Sequence, residues 1–231
     1  MRVLVIGASQ GLGRETVRKA LAEGHRVTAF ARHPERIGIT HERLKLHAGD
    51  VLKLDDVKAA MKNQQAVIIT LGLPTKQAMG FGHSLVLSGG TANVIEAMER
   101  AGVNRLILET AIGAGESKHQ IGWLYRFSLR GILRHIFREK DTQEALVRAS
   151  KLDWTIVRPV TLTFGPETDE YLVDPPMSFG MFTQISRADV AAFMVEQLTD
   201  DSHLRKAVVV SYLRRGWRDF PAWLKHYRPA R

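Results

Sequence analysis

The chain has 231 residues, 45% of them hydrophobic, with no cysteine and a formal net charge of +9. That length suits one α/β domain with a sizeable core, and the lack of cysteine removes disulfide frameworks, thiolate metal sites and cysteine nucleophiles. The charge is local, since residues 118–138 and 213–231 each hold five more cations than acids, which argues against a chain-wide nucleic-acid surface.

The first fourteen residues read MRVLVIGASQGLGR. Val3 to Ile6 form a continuous apolar run rich in β-branched residues, the pattern of a strand buried on both faces of a parallel sheet. Gly7, Gly11 and Gly13 follow at once, and the spacing of Leu12, Val17, Ala20 and Leu21 predicts a helix ending at Gly24. Strand, glycine turn and helix in that order suit a phosphate-binding device, because the helix N-terminus carries unpaired N–H groups and glycines admit a pyrophosphate close to the backbone. A tight turn inside any α/β protein is the plainer alternative.

His25 to Ala31 reads as a second strand, ended by Arg32-His33-Pro34. In a dinucleotide fold an acid at that strand end holds the ribose 2′-OH of NAD, whereas an arginine accommodates the 2′-phosphate of NADP. Arg32 stands there, with Arg36 nearby and Arg14 just past the last glycine, so NADP(H) is expected over NAD(H). Otherwise Arg32 is a solvated loop residue. Arg43 to His47 reads as a third strand closing on Gly49-Asp50-Val51, where Asp50 suits either an adenine amino group or the N-cap of a helix over Leu54 to Lys62. Ala66 to Thr70 is a fourth strand ending in Leu71-Gly72, where a small residue lets a cofactor backbone pass.

A helix around Leu85 to Arg100 and a strand Arg105 to Glu109 begin a second half, and the alternation predicts an α/β fold with a doubly wound parallel sheet of the Rossmann type. Thr110 to Gly122 is glycine-rich and suits a substrate loop. A long helical region follows from Trp123 to Ser150, interrupted near Gly131, and then a strand Leu152 to Arg158 stopped by Pro159. Later come Tyr171 to Asp174, Met181 to Ile185, a helix Arg187 to Leu198 and a strand Ala207 to Tyr212. One NAD(P)-binding domain is expected over residues 1–212, with substrate-facing insertions at about 110–135 and 160–185. Residues 213–231 form a tail that mixes Trp217, Phe220, Trp223 and Tyr227 with basic residues, expected to pack on its own domain, a second subunit or another protein partner. No 18-residue apolar run exists, and the strand at residue 2 leaves no room for a leader, so a cytoplasmic protein without a membrane span is expected.

Taken together, Gly7-Ala8-Ser9-Gln10-Gly11-Leu12-Gly13, Ala31-Arg32, Gly49-Asp50-Val51, Thr70-Leu71-Gly72 and Trp154 to Pro159 resemble the short-chain dehydrogenase/reductase superfamily, over about residues 1–210. The likeness is greatest to its atypical branch, the flavin/biliverdin reductase-like and NmrA-like NAD(P)H-binding proteins. The resemblance implies that Gly7 to Gly13, with Ser9, Gln10 and Leu12, cradle pyrophosphate, that Arg32 takes the 2′-phosphate, that Asp50 and Val51 flank adenine and that Leu71 and Gly72 follow the ribose. It puts Thr110, Lys140, Pro159, Val160 and Leu162 beside the nicotinamide, with Thr110 and Lys140 as the catalytic candidates. The superfamily's general acid is a tyrosine four residues before a lysine; if Lys140 is that lysine, the tyrosine position holds Ile136.

A missing acid removes help typically worth about 10²–10⁴-fold for ketone reduction. Flavins, quinones and linear tetrapyrroles form delocalised anions and need less of it, so the expected function is hydride transfer from NADPH to a flat acceptor, with FMN or FAD as substrate. An NADP(H)-sensing regulator without catalysis is the alternative, and a sugar-nucleotide epimerase or dehydratase a weaker third. The nine histidines show no metal-ligand spacing, and no P-loop or nucleophile elbow is present, so no metal is assigned.

Overall fold

A computed structural model describes residues 1–72, 85–122, 133–175, 179–180 and 183–212. Its frame is an eight-stranded sheet in the order β3-β2-β1-β4-β5-β6-β10-β8. The strands are β1 (Arg2–Ile6), β2 (Arg26–Ala31), β3 (Leu44–Ala48), β4 (Ala66–Ile69), β5 (Arg105–Glu109), β6 (Asp153–Pro159), β8 (Tyr171–Val173) and β10 (Lys206–Tyr212). All neighbours pair in parallel except β10 and β8, which run antiparallel at one edge. A separate parallel pair joins β7 (Thr161–Thr163) to β9 (Gln184–Ser186). The central strands β1, β4 and β5 are buried along nearly their whole length, as their unbroken apolar runs require.

Helices cover both faces. On one face α1 (Gly11–Ala22) lies against α5 (Arg187–Glu196), joining Val17, Leu21, Phe193 and Met194 to Val3 and Val5 in one core. On the other, α2 (Leu54–Met61), α3 (Ser88–Ala101) and α4 (Arg134–Ala149) cover Leu4, Ile6, Val67 and Leu106. Buried polar pairs fix α3 against α4: the N–H and hydroxyl of Ser88 both donate to Glu139, and Gln143 donates to the Thr91 hydroxyl.

Three sequence expectations need adjusting. The sixth strand runs through Pro159 instead of stopping before it; the Pro159 carbonyl faces the β5 side and accepts the Ile112 N–H, so the missing proline N–H falls beyond the last residue of β5 and costs no ladder bond. Asp50 does not cap α2, whose N-cap is Lys53; its carboxylate accepts the Leu52 N–H and closes the turn ahead of the helix. The sheet is not wholly parallel, because β8 folds back beside β10. Of the long helical region, Arg134–Ala149 is helical and residues 123–132 lie outside the described residues, as do Met181 and the tail 213–231.

The glycine turn is the tightest place in the fold. Gly7 adopts φ +86°, and a methyl group there would stand 2.6 Å from the Thr70 carbonyl oxygen. At Gly13 it would stand 2.2 Å from the Gly7 carbonyl oxygen and 2.7 Å from the Thr70 hydroxyl, which itself donates to the Ile6 carbonyl. Gly13→Ala is therefore expected to cost about 1–3 kcal/mol or more of stability in urea unfolding. Gly72→Ala, with nothing among the described residues within 4 Å of the new methyl, should stay within about 0.5 kcal/mol of wild type.

Candidate functional site: the crevice over the glycine turn

The carboxyl ends of β1, β2, β4, β5 and β6 open onto one crevice, the usual ligand position in a doubly wound sheet. Gly11 marks its floor. Where Gly7 and Gly13 are glycines because backbone crowds them, Gly11 has φ +56° and, among the described residues, only the Arg187 Nε comes within 4 Å of where a Cβ would stand, at 3.8 Å. The N-cap Gln10 makes no side-chain cap bond and the first turn of α1 holds no acid, so no side chain among the described residues caps these backbone N–H groups. The turn thus has the open cradle and the donors that a pyrophosphate needs.

At the end of β2, Arg32 is exposed and no acid occupies the strand end. Arg14, one residue past Gly13, reaches toward the loop after β2, its Nη2 4.0 Å from the Cβ position of Gly38. The nearest acid in that loop, Glu35, pairs with His33 at 3.4 Å. Across the turn, Val51 is buried against the start of α3, its carbonyl accepting from Asn93, and Leu71 packs beside it while Gly72 is exposed. Asp50 and Val51 therefore lie between the end of β3 and α3.

The two catalytic candidates are both engaged internally. Thr110 is fully buried and its hydroxyl donates to Glu144 at 2.9 Å. The Lys140 ammonium donates to the Thr110 backbone carbonyl at 2.7 Å and lies 3.7 Å from the Glu109 carboxylate. Glu109 is the last residue of β5; burial pushes its pKa up, and Lys140 and Arg187 only partly offset this. Glu144 is held in turn by Arg158 through bonds of 2.9 and 2.5 Å, with both side chains 2% exposed. Arg158 also donates to Glu116, which Arg148 pairs from the other side. This network anchors the loop after β5. Gly115 sits against the Arg158 guanidinium with φ +53°, and its N–H donates to Asp141.

On the far side, Val160 is buried and Leu162 half-buried, and the Leu162 carbonyl accepts from Arg187 at 3.4 Å. Arg187 also stacks on the exposed Phe164 ring at 4.3 Å. Arg187 escaped the sequence reading. It is the first residue of α5, and its local signal, Ser186-Arg187-Ala188-Asp189, speaks only of a helix start: the Ser186 hydroxyl caps the Asp189 N–H. Burial works to raise the Asp189 pKa, but hydrogen bonds from Tyr212, Thr168 and Asp169 outweigh it and keep the carboxylate ionised. Glu109 was likewise passed over, because an acid at a strand end looks solvated until its surroundings are known.

Fold and crevice define a Rossmann-type nucleotide-binding protein. The chain belongs to the NAD(P)H-binding family, whose model matches residues 7–201. It is 26% identical over 211 residues to the protein YMR090W of Saccharomyces cerevisiae, covering 86% of this chain and 87% of that one. It is 25% identical over 218 residues to the photosystem II assembly factor Ycf39 of Synechocystis, covering 91% of this chain but only 62% of that longer protein. Among solved structures it is similar to ChuY of Escherichia coli CFT073, with 25% identity, a TM-score of 0.75 and coverage of 94% and 99%. ChuY of E. coli O157:H7, described as an anaerobilin reductase, shares the fold with 24% identity, a TM-score of 0.76 and the same coverage. No helix among the described residues is long and apolar enough to cross a membrane.

The ion network has a pH signature. Hydrogen bonding to Arg158, opposed by burial, pulls the Glu116 pKa from 4.5 to about 2. A depressed folded-state pKa gives stability that is present above about 4.5 and lost as pH falls toward about 2. Acid titration of unfolding free energy should therefore show this loss in wild type and a smaller one in Glu116→Gln.

Proposed function

We propose that this chain is an NADP(H)-dependent oxidoreductase that reduces a flat conjugated acceptor such as a flavin, a quinone or a linear tetrapyrrole. The observation that carries the reading is the state of Thr110 and Lys140. The hydroxyl is buried on Glu144 and the ammonium is bound to the Thr110 carbonyl, while Ile136 stands one turn before Lys140. A ketone would need a donor for its alkoxide, and neither group is offered; a delocalised acceptor takes its proton from solvent. When bound, the reduced nicotinamide supplies the hydride. The protein's share is positioning: the Gly7 to Gly13 turn and Arg187 would hold the pyrophosphate, Arg32 and Arg14 the 2′-phosphate, Asp50 and Val51 the adenine side, and Val160 and Leu162 the ring's apolar flank. The shared architecture with ChuY supports an acceptor of this kind.

A second reading, an NADP(H)-sensing binding protein, is favoured by the same internal engagement of Thr110 and Lys140 and by the likeness to an assembly factor. One experiment separates the two. Purified protein is given NADPH with FMN, menadione and biliverdin; the proposal expects oxidation of NADPH with at least one acceptor. Tight NADPH binding with no turnover on any of them would leave the sensing role.

Cofactor choice has its own measurement. Losing a charge-assisted contact costs about 1.5–3 kcal/mol, so Arg32→Ala should weaken NADPH binding roughly 10- to 100-fold and leave NADH binding nearly unchanged. Equal losses for both would remove the 2′-phosphate role.

A further inference from the structure

The opposite end of the sheet carries an unexplained concentration of positive charge. At the amino ends of the first three strands, Arg2 pairs in register with Arg26, and the Arg43 carbonyl accepts the Val27 N–H, which sets Arg43 beside Arg26. Three arginines thus stand side by side at the starts of β1 and β2 and just before β3, with Arg2 Nε donating to the Asn63 carbonyl and Arg43 Nη1 to the Gly24 carbonyl. Like charges directly opposite on neighbouring strands destabilise a sheet. Beyond this row, Lys45 pairs with Thr28 on β2, and Lys62 lies just past the end of α2.

These five cations line one cavity of 690 Å³, which contains a single carboxylate, Glu42. Glu42 is exposed and meets Arg43 only at 4.0 Å. The Arg26 guanidinium makes no hydrogen bond or ion pair among the described residues. Two buried polar atoms in the same wall, Arg43 Nε and Gln64 Oε1, also make no hydrogen bond among the described residues. The cofactor crevice lies at the other ends of these strands, about 15 Å away at the rise of a five-residue strand.

We propose that this cavity is a second binding site, for a small polyanion carrying a chain of phosphates. Arginine forks match phosphate oxygens in pairs, and the volume falls in the range of small-ligand sites. His47 is the sole aromatic ring in the lining, so there is no row of stacking surfaces such as a nucleic-acid strand uses. The sequence hides the site because its cations are drawn from positions 2 to 62 and gather only through strand register.

The test is isothermal titration of the full chain with sodium tripolyphosphate at low salt. Wild type should bind. Arg26→Glu combined with Lys45→Glu, both exposed positions, should weaken binding at least 10-fold with an unchanged circular dichroism spectrum, while Arg32→Ala in the cofactor crevice changes it less than 2-fold. Arg26→Gln should raise Tm by a few degrees without ligand, because it relieves the row of like charges, and should lose the ligand-induced rise. ATP binding more tightly than tripolyphosphate would name a nucleotide as the source, and equal affinity the bare phosphate chain; either supports the site. No binding to wild type, binding untouched by the charge reversals, binding abolished by Arg32→Ala, or binding only to phosphatidylglycerol vesicles would overturn it.

Discussion

At Gly13 the backbone of α1 rests on the carbonyl of Gly7, at a distance that no side chain of any kind would permit. That contact sets the angle at which α1 leaves β1, and so where the helix N-terminus points. Thr70 completes it from the neighbouring strand, with its hydroxyl on Ile6 and its carbonyl over Gly7. The glycine turn and a strand end far along the chain are locked into one joint, and Gly11 is left free of it. The crowding at two glycines and the openness at the third divide the labour: the former hold the fold, the latter leaves room beside the helix start.

A second joint lies under the other half of the crevice. Arg158 on β6 and Glu144 on α4 are buried together, and burial of both charges is tolerated because each finds several hydrogen bonds. The pair takes the Thr110 hydroxyl into its network, which explains why that group is turned away from the crevice. Lys140, one turn earlier on α4, then meets the Thr110 carbonyl and Glu109. The chemistry available at the site is therefore shaped by a salt bridge beneath it.

Much of the fold was legible in the sequence. Strands buried on both faces show as unbroken apolar runs, which is why β1, β4 and β5 read clearly, and the positive φ values of Gly7 and Gly24 fall where turns were expected. The crevice was legible only in part. Glycine spacing and the arginine after β2 are local signals, whereas Arg187 reaches Gly11 from the far end of the chain through the packing of α5 on α1. The engagement of Thr110 and Lys140 depends on how α4 is rotated against β5 and β6, and no pattern along the chain encodes that rotation. Asp50 was ambiguous for a simpler reason: a carboxylate four residues before a helix can close a turn as readily as cap it.

The Arg158–Glu144 pair has a consequence for how such a chain can change over generations. Removing Arg158 leaves the buried Glu144 with only Arg148, 3.9 Å away, as counter-ion, a loss of about 3–5 kcal/mol, whereas removing Glu144 leaves Arg158 its bond to Glu116, and replacing both with apolar residues of similar volume is often neutral. The single step that loses Arg158 is thus the costlier one, and a coordinated double change avoids it. Descendants that retain the pair keep the Thr110 hydroxyl sequestered, and new activities must arise from the residues around the rim of the crevice.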